Sequence, residues 1–104
     1  MYLRILNENY NSIDDVHTTI EKIIKYAESK IYPKITKNVV MKFIMDVKNG
    51  VVNNYEGDAI PNAFELAPYI NKLFKISNDN AKFSEVIISI NNNGSCNIKF
   101  NYLD

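Results

Sequence analysis

The amino-acid sequence predicts an α+β domain: an antiparallel four-stranded sheet with two helices packed on it, in the order α-β-β-α-β-β. Two observations carry that expectation. The spacing of apolar residues switches from the helical period to the two-residue period of a strand, and it does so twice along the chain. Each alternating stretch is divided by a glycine-containing turn, Lys48-Asn49-Gly50 in the first and Asn91-Asn92-Asn93-Gly94 in the second, so each reads as a hairpin. Length agrees, since 104 residues are one domain with one core. No linker, low-complexity segment or repeat beyond the αββ rhythm divides residues 1–104.

Residues 1–11 are ambiguous: Tyr2 to Leu6 fits a short strand or a helix start, and Asn7 to Asn11 reads as a loop. Ser12 is a good N-cap, with Asp15 three residues later completing a weak capping box. Asp14 and Asp15 bring negative charge to the positive end of the helix. Ile13, Val16, Ile20, Ile23, Ile24, Ala27 and Ile31 then recur on one helical stripe. Pro33 ends it, because proline has no amide to donate and disfavours helix at the preceding residue.

Val39, Met41, Phe43, Met45 and Val47 alternate with polar positions such as Lys42 and Asp46, the pattern of a half-buried strand. Asn49-Gly50 suits a type I′ turn. Val51 to Tyr55 is the return strand, and its Asn53 and Asn54 mark an edge or an early end. A loop over Glu56–Pro61 follows. Asn62 and Glu65 fit a capping box for the second helix, whereas Pro68 fits a helix that starts later, after a short turn. Phe64, Leu66, Ile70, Leu73 and Phe74 supply its buried side, and Ser77–Asn80 ends it. Val86, Ile88 and Ile90 alternate with Glu85, Ile87 and Ser89; apolar residues on both sides indicate a central strand. The last strand turns Cys96, Ile98, Phe100 and Tyr102 inward and Ser95, Asn97, Lys99 and Asn101 outward.

Composition narrows the function classes. The hydrophobic share of 46% is that of a folded protein, and 12 basic residues balance 12 acidic ones. A nucleic-acid binder usually carries a basic excess, so none is expected here. The balance hides an asymmetry: seven lysines lie between Lys22 and Lys48, and six acids face four lysines from Val51 onward. The N-terminal apolar stretch is too short for a signal peptide, and no segment approaches the ~20 apolar residues of a membrane span, so a cytoplasmic protein without a membrane partner is expected.

Candidate chemistry is sparse. Cys96, the single cysteine, forms no internal disulfide and falls on an inward position where thiols are inert. His17, the single histidine, lies beside the apolar stripe and has no catalytic neighbour in the pattern. No His or Cys pair stands at zinc-ligand spacing, and the acidic loop Glu56-Gly57-Asp58 has too few carboxylates for a calcium cage. Gly50, Gly57 and Gly94 all sit in turns rather than a phosphate loop. The sequence therefore reads as a non-enzyme with no cofactor and no metal. Its surface carries the remaining signal. There are seven tyrosines, and Tyr55, Glu56, Asp58 and Glu65 put one aromatic and three acids in one stretch, a candidate partner-binding site for a cationic protein.

The stretch from Ile60-Pro61 through Phe64, then Ile70-Asn71-Lys72-Leu73-Phe74, then Phe83 and the closing strand Gly94 to Asp104, resembles the YezG-like family of immunity proteins. The likeness covers most of the chain from Ile13 as a pattern rather than a diagnostic motif. Phe83 stands where that family tends to carry tryptophan, and the segment before Ser12 has no counterpart. The resemblance implies an immunity protein of a polymorphic-toxin or contact-dependent growth inhibition system, which neutralises a cognate bacterial toxin domain, often a nuclease, by occluding its active or substrate-binding site. Glu56, Asp58 and Glu65 would then stand in for nucleic-acid phosphates, with Tyr55 as aromatic anchor. Two rivals remain. One is a self-associating structural or adaptor module that pairs the edge strand Val51–Tyr55. The other is a hydrolase or nucleotide-modifying enzyme built on Asp58 or Asp14. Monomer and dimer are both open.

Overall fold

A computed structural model describes residues 13–103, with side chains from Val16 onward. The ambiguous segment 1–11 and the Ser12–Asp15 capping box lie outside that description. The expected α+β architecture is present, with elements in the order α-β-β-α-β-β.

The first helix, α1, spans Ile13–Tyr26, and its Val16, Ile20 and Ile23 are buried on one stripe. It does not run evenly to Pro33. Ala27–Ile31 form a π-helical turn in which the Tyr32 amide donates to the Ala27 carbonyl, and Tyr32–Lys34 close with a 3₁₀ turn. In an even α-helix each i,i+4 step rotates the stripe by about 40°. The wider turn undoes that drift and keeps both Ala27 and Ile31 against the core.

Strands β1 (Val39–Asp46), β2 (Val51–Gly57), β3 (Phe83–Ile90) and β4 (Cys96–Tyr102) form one sheet in the order β2-β1-β3-β4, with every pairing antiparallel. The polar β2 is an edge and the apolar β3 is central, as their patterns indicate. Met41, Phe43, Val86, Ile88, Ile98 and Phe100 turn to the inner face and are buried. Phe83 joins them because a register shift between Phe83 and Glu85 puts the strand back in phase. Its ring meets Phe74 at 5.3 Å and Phe100 at 5.0 Å between centroids.

The first turn differs from the expected type I′, which needs two positive φ angles. Only Gly50 has one (φ 71°), and the loop is the four-residue Val47–Gly50. The Asp46 carboxylate explains the change. It accepts the Asn49 amide at 3.2 Å and the Asn49 side chain at 2.7 Å, while the Gly50 amide donates to the Asp46 carbonyl at 2.8 Å. The two Asn49 bonds hold the Asp46 carboxyl below the usual carboxylate range, the side-chain one most of all. Val47, read as an inward residue, is exposed in this turn.

Of the two expected starts for the second helix, the later one occurs. Asn62 adopts a left-handed φ of 69° with no side-chain cap, Ala63–Leu66 form a 3₁₀ turn, and the helix α2 spans Ala67–Ile76 with Pro68 in its first turn. Leu66, Ile70, Leu73 and Phe74 are buried as expected. Phe64 is not: it points outward from the 3₁₀ turn and is 64% exposed. The helical period assigned it to the core, and the tighter turn moved it off that face.

The helices α1 and α2 pack on the inner face, and among the described residues no element covers the other face of the sheet. There the Lys42 ammonium lies 3.0 Å from Glu85 and 4.0 Å from Glu56, and Asn101 donates to Glu85 at 2.8 Å.

Candidate partner-binding site

The four residues singled out by sequence do not form one cluster. Side chains alternate across a strand, so Tyr55 and Glu56 point to opposite faces of β2. Tyr55 turns inward, with its ring 5.3 Å from Phe43, whereas Glu56 turns to the open face beside Lys42. Strand β2 also runs two residues further than expected, through Glu56 and Gly57, and ends where Asp58 takes over the pairing.

Asp58 has a structural task. Its carboxylate accepts the Val40 amide at 2.8 Å and its own amide donates to the Val40 carbonyl at 3.0 Å, so it extends the β1–β2 ladder by one step beyond Gly57. Lys37 lies 3.7 Å from the same carboxylate. The Tyr55 hydroxyl donates to the Asp58 carbonyl, and burial, with Asp58 adding to it, pushes the phenol above its ordinary range. Gly57 permits this arrangement. Its φ is 122°, and a Cβ there would come within 2.4 Å of the Val40 carbonyl oxygen.

Around Tyr55 the structure assembles an apolar site that the sequence reading missed. The Phe64 ring packs on the Tyr55 ring at a centroid distance of 5.4 Å. Together with Ala59, Ile60, Pro61 and Ala63 they line a shallow depression of about 450 Å³. Glu65 is exposed on the same 3₁₀ turn as Phe64. On the far side of the Ala59–Pro61 ridge a smaller cleft of about 200 Å³ carries Lys34 and Lys37. Tyr55 thus belongs to this surface, Glu65 neighbours it on the 3₁₀ turn without lining it, Asp58 holds the Tyr55 hydroxyl, and Glu56 lies on another face. The sequence carried one usable signal, Ile60-Pro61 next to Phe64 in a segment otherwise written as a loop.

The remaining candidates are placed plainly. His17 is exposed, its Nε2 3.1 Å from Glu21 one helical turn on. Cys96 is half-buried at the start of β4, and burial pushes its thiol up to about 11. Among the described residues no group of three or more His, Cys, Asp or Glu side chains could hold a metal, and no helix is long and apolar enough to cross a membrane. The edge strand β2 is not free along its length: the Asn71 side chain accepts the Val52 amide at 2.7 Å, and the register shifts between Ile44 and Met45. Such interruptions oppose strand addition.

No protein-family model, curated protein or solved structure matches the chain. Function is therefore read from the surface itself.

Proposed function

We propose that the protein is a binding module that neutralises a cognate bacterial toxin domain by covering its functional surface, as an immunity protein does. The observation that carries the binding part of this reading is the exposed Phe64 stacked on Tyr55 over an apolar depression. A large aromatic left 64% exposed contributes little to folding and is a typical anchor for a protein interface. The Tyr55–Asp58 and Asp58–Val40 bonds hold the ring and the loop in place before binding, which lowers the ordering cost of association. The toxin part rests on the resemblance to YezG-like immunity proteins.

The geometry changes the mechanism expected from sequence. The centre of the site is aromatic rather than acidic, with Glu65 exposed on the 3₁₀ turn next to Phe64 and Lys34 and Lys37 across the ridge. Contact area supplies affinity here, and the charges set orientation and encounter rate.

The experiment is a paired capture from the source cells with wild-type and Phe64→Asp baits, followed by expression of any captured domain alone and with the protein. Expected is a stoichiometric partner held by wild type and lost with Phe64→Asp, toxic alone and harmless when co-expressed. A partner retained equally by both baits removes the aromatic site. A partner that is harmless by itself removes the immunity reading.

A further inference from the structure

A cleft of about 680 Å³ lies at the other end of β2, between the β1–β2 turn and α2. Four lysines line it: Lys48 from the turn, Lys72 and Lys75 from α2, and Lys82 from the segment before β3. Among the described residues no carboxylate lies within ion-pair distance of any of the four. The acids nearby are otherwise engaged or distant. Asp46 is taken up by Asn49, and Asp79 acts on Lys82 only through its field.

Lys82 is the fixed member of the set. Its ammonium donates to the carbonyl of Phe74 and, at 3.5 Å, to that of Lys75, the last turn of α2, and it sits 4.7 Å above the Phe74 ring. It is therefore half-buried and pre-positioned, and burial, only partly offset by the charge of Asp79, lowers its pKa from the ordinary lysine value. Lys72 and Lys75 reach from one helix over the same opening, since residues three apart share a face. Val47 and Val51, 38% and 41% exposed, line the mouth.

We propose that this cleft is an oxyanion site for the diphosphate group of a small diphosphate ester, whose organic part lies against Val47 and Val51. A single carboxylate carries one charge in a planar fork that suits arginine. Lysine ammoniums are point charges that match a compact, multiply charged tetrahedral oxyanion. The volume falls within the range of small-ligand sites, roughly 300–1,000 Å³. This site is separate from the Tyr55–Phe64 surface and does not depend on the toxin reading.

The test is an amide NMR titration of the whole protein with inorganic diphosphate and, in a second arm, ADP, at ionic strength held constant with sodium chloride. Saturable shifts are expected at Lys48–Val51 and Asn71–Lys75, with ADP adding larger changes at Val47 and Val51. Because a charge-assisted bond accounts for roughly a tenfold change in affinity, Lys72→Glu with Lys75→Glu should weaken binding by about a hundredfold. The neutral pair Lys72→Ala with Lys75→Ala separates charge loss from charge reversal, and Lys99→Glu on the open sheet face should leave binding unchanged. Non-saturating shifts that match those of sodium chloride, or equal weakening by Lys99→Glu, overturn the proposal.

Discussion

Replacing Gly57 by alanine tests how the site is held. The residue sits at φ 122°, where a side chain is strained, and its Cβ would lie 2.4 Å from the Val40 carbonyl oxygen. That oxygen is backbone in a central strand and accepts the Asp58 amide, so it yields only if the β1–β2 ladder opens. Strain at such a φ costs about 1–3 kcal/mol, and loss of one or both Asp58–Val40 bonds adds about 1 kcal/mol. The expected total is about 2–4 kcal/mol, a large part of the roughly 5–15 kcal/mol that holds a domain together. For a chain of this size it lowers Tm by about 10–25 °C. Gly50→Ala is the matched control, with φ 71° and a nearest contact of 3.4 Å to a Phe74 ring carbon rather than to backbone. It should cost only about 1–2 kcal/mol of left-handed strain. Thermal melts followed by circular dichroism separate the two. If Gly57→Ala melts no lower than Gly50→Ala, the Val40 carbonyl is not the wall described here.

Other outcomes are expected with equal definition. Phe64→Ser should lower stability by about 1 kcal/mol, because most of the ring is already in water, whereas a buried phenylalanine costs about 3–5 kcal/mol; urea unfolding distinguishes these values. The Glu85 carboxyl is held below its ordinary value by the Asn101 side-chain bond and then by Lys42, so the stability it contributes is present above the unfolded-state value and is lost as pH falls through the lower folded one. Carbon-detected NMR titration should place its midpoint below that of a free glutamate, and Glu85→Gln should shrink the acid-side loss of stability; a midpoint at the ordinary value contradicts both. Cys96, its thiol raised to about 11 chiefly by burial, should react with a disulfide reagent far more slowly at pH 8 in the native protein than in denaturant. Equal rates would mean that β4 frays at its start.

Most of the fold was legible because periodicity reports burial, and burial is what the sheet and helices share. Val16 to Ile31, Met41 to Met45 and Val86 to Ile90 all fell where their spacing put them. The misses share a cause: a local bond or turn outweighed the repeating pattern. Asp46 captured Asn49 and changed the turn type, and the 3₁₀ turn over Ala63–Leu66 rotated Phe64 out of the core. The site was legible only in part. Tyr55 lines the apolar surface and Glu65 is exposed beside Phe64, but strand alternation sent Glu56 to the other face, and Asp58 proved to be a backbone partner of Val40. The lysine cleft could not be seen from composition at all. Three of its cations come from the segment whose balance is acidic, and only the approach of α2 to the β1–β2 turn brings them to Lys48.

The order β2-β1-β3-β4 has a kinetic consequence. Each outer strand folds onto its neighbour through a short turn, a step of roughly 1–10 μs for an isolated hairpin. The central seam joins residues far apart in sequence, from Ile44 with Glu85 to Val39 with Ile90. Loop-closure entropy rises by about 0.6 kcal/mol per doubling of length, so closing that seam costs on the order of 2 kcal/mol more than closing either turn. That difference favours two αββ halves that form before they join, with the 58–62 connection as their covalent tether. The aromatic surface straddles that tether, with Tyr55 before it, Phe64 after it and Ala59, Ile60 and Pro61 on it, so the residues that would grip a partner come together only when the two halves do.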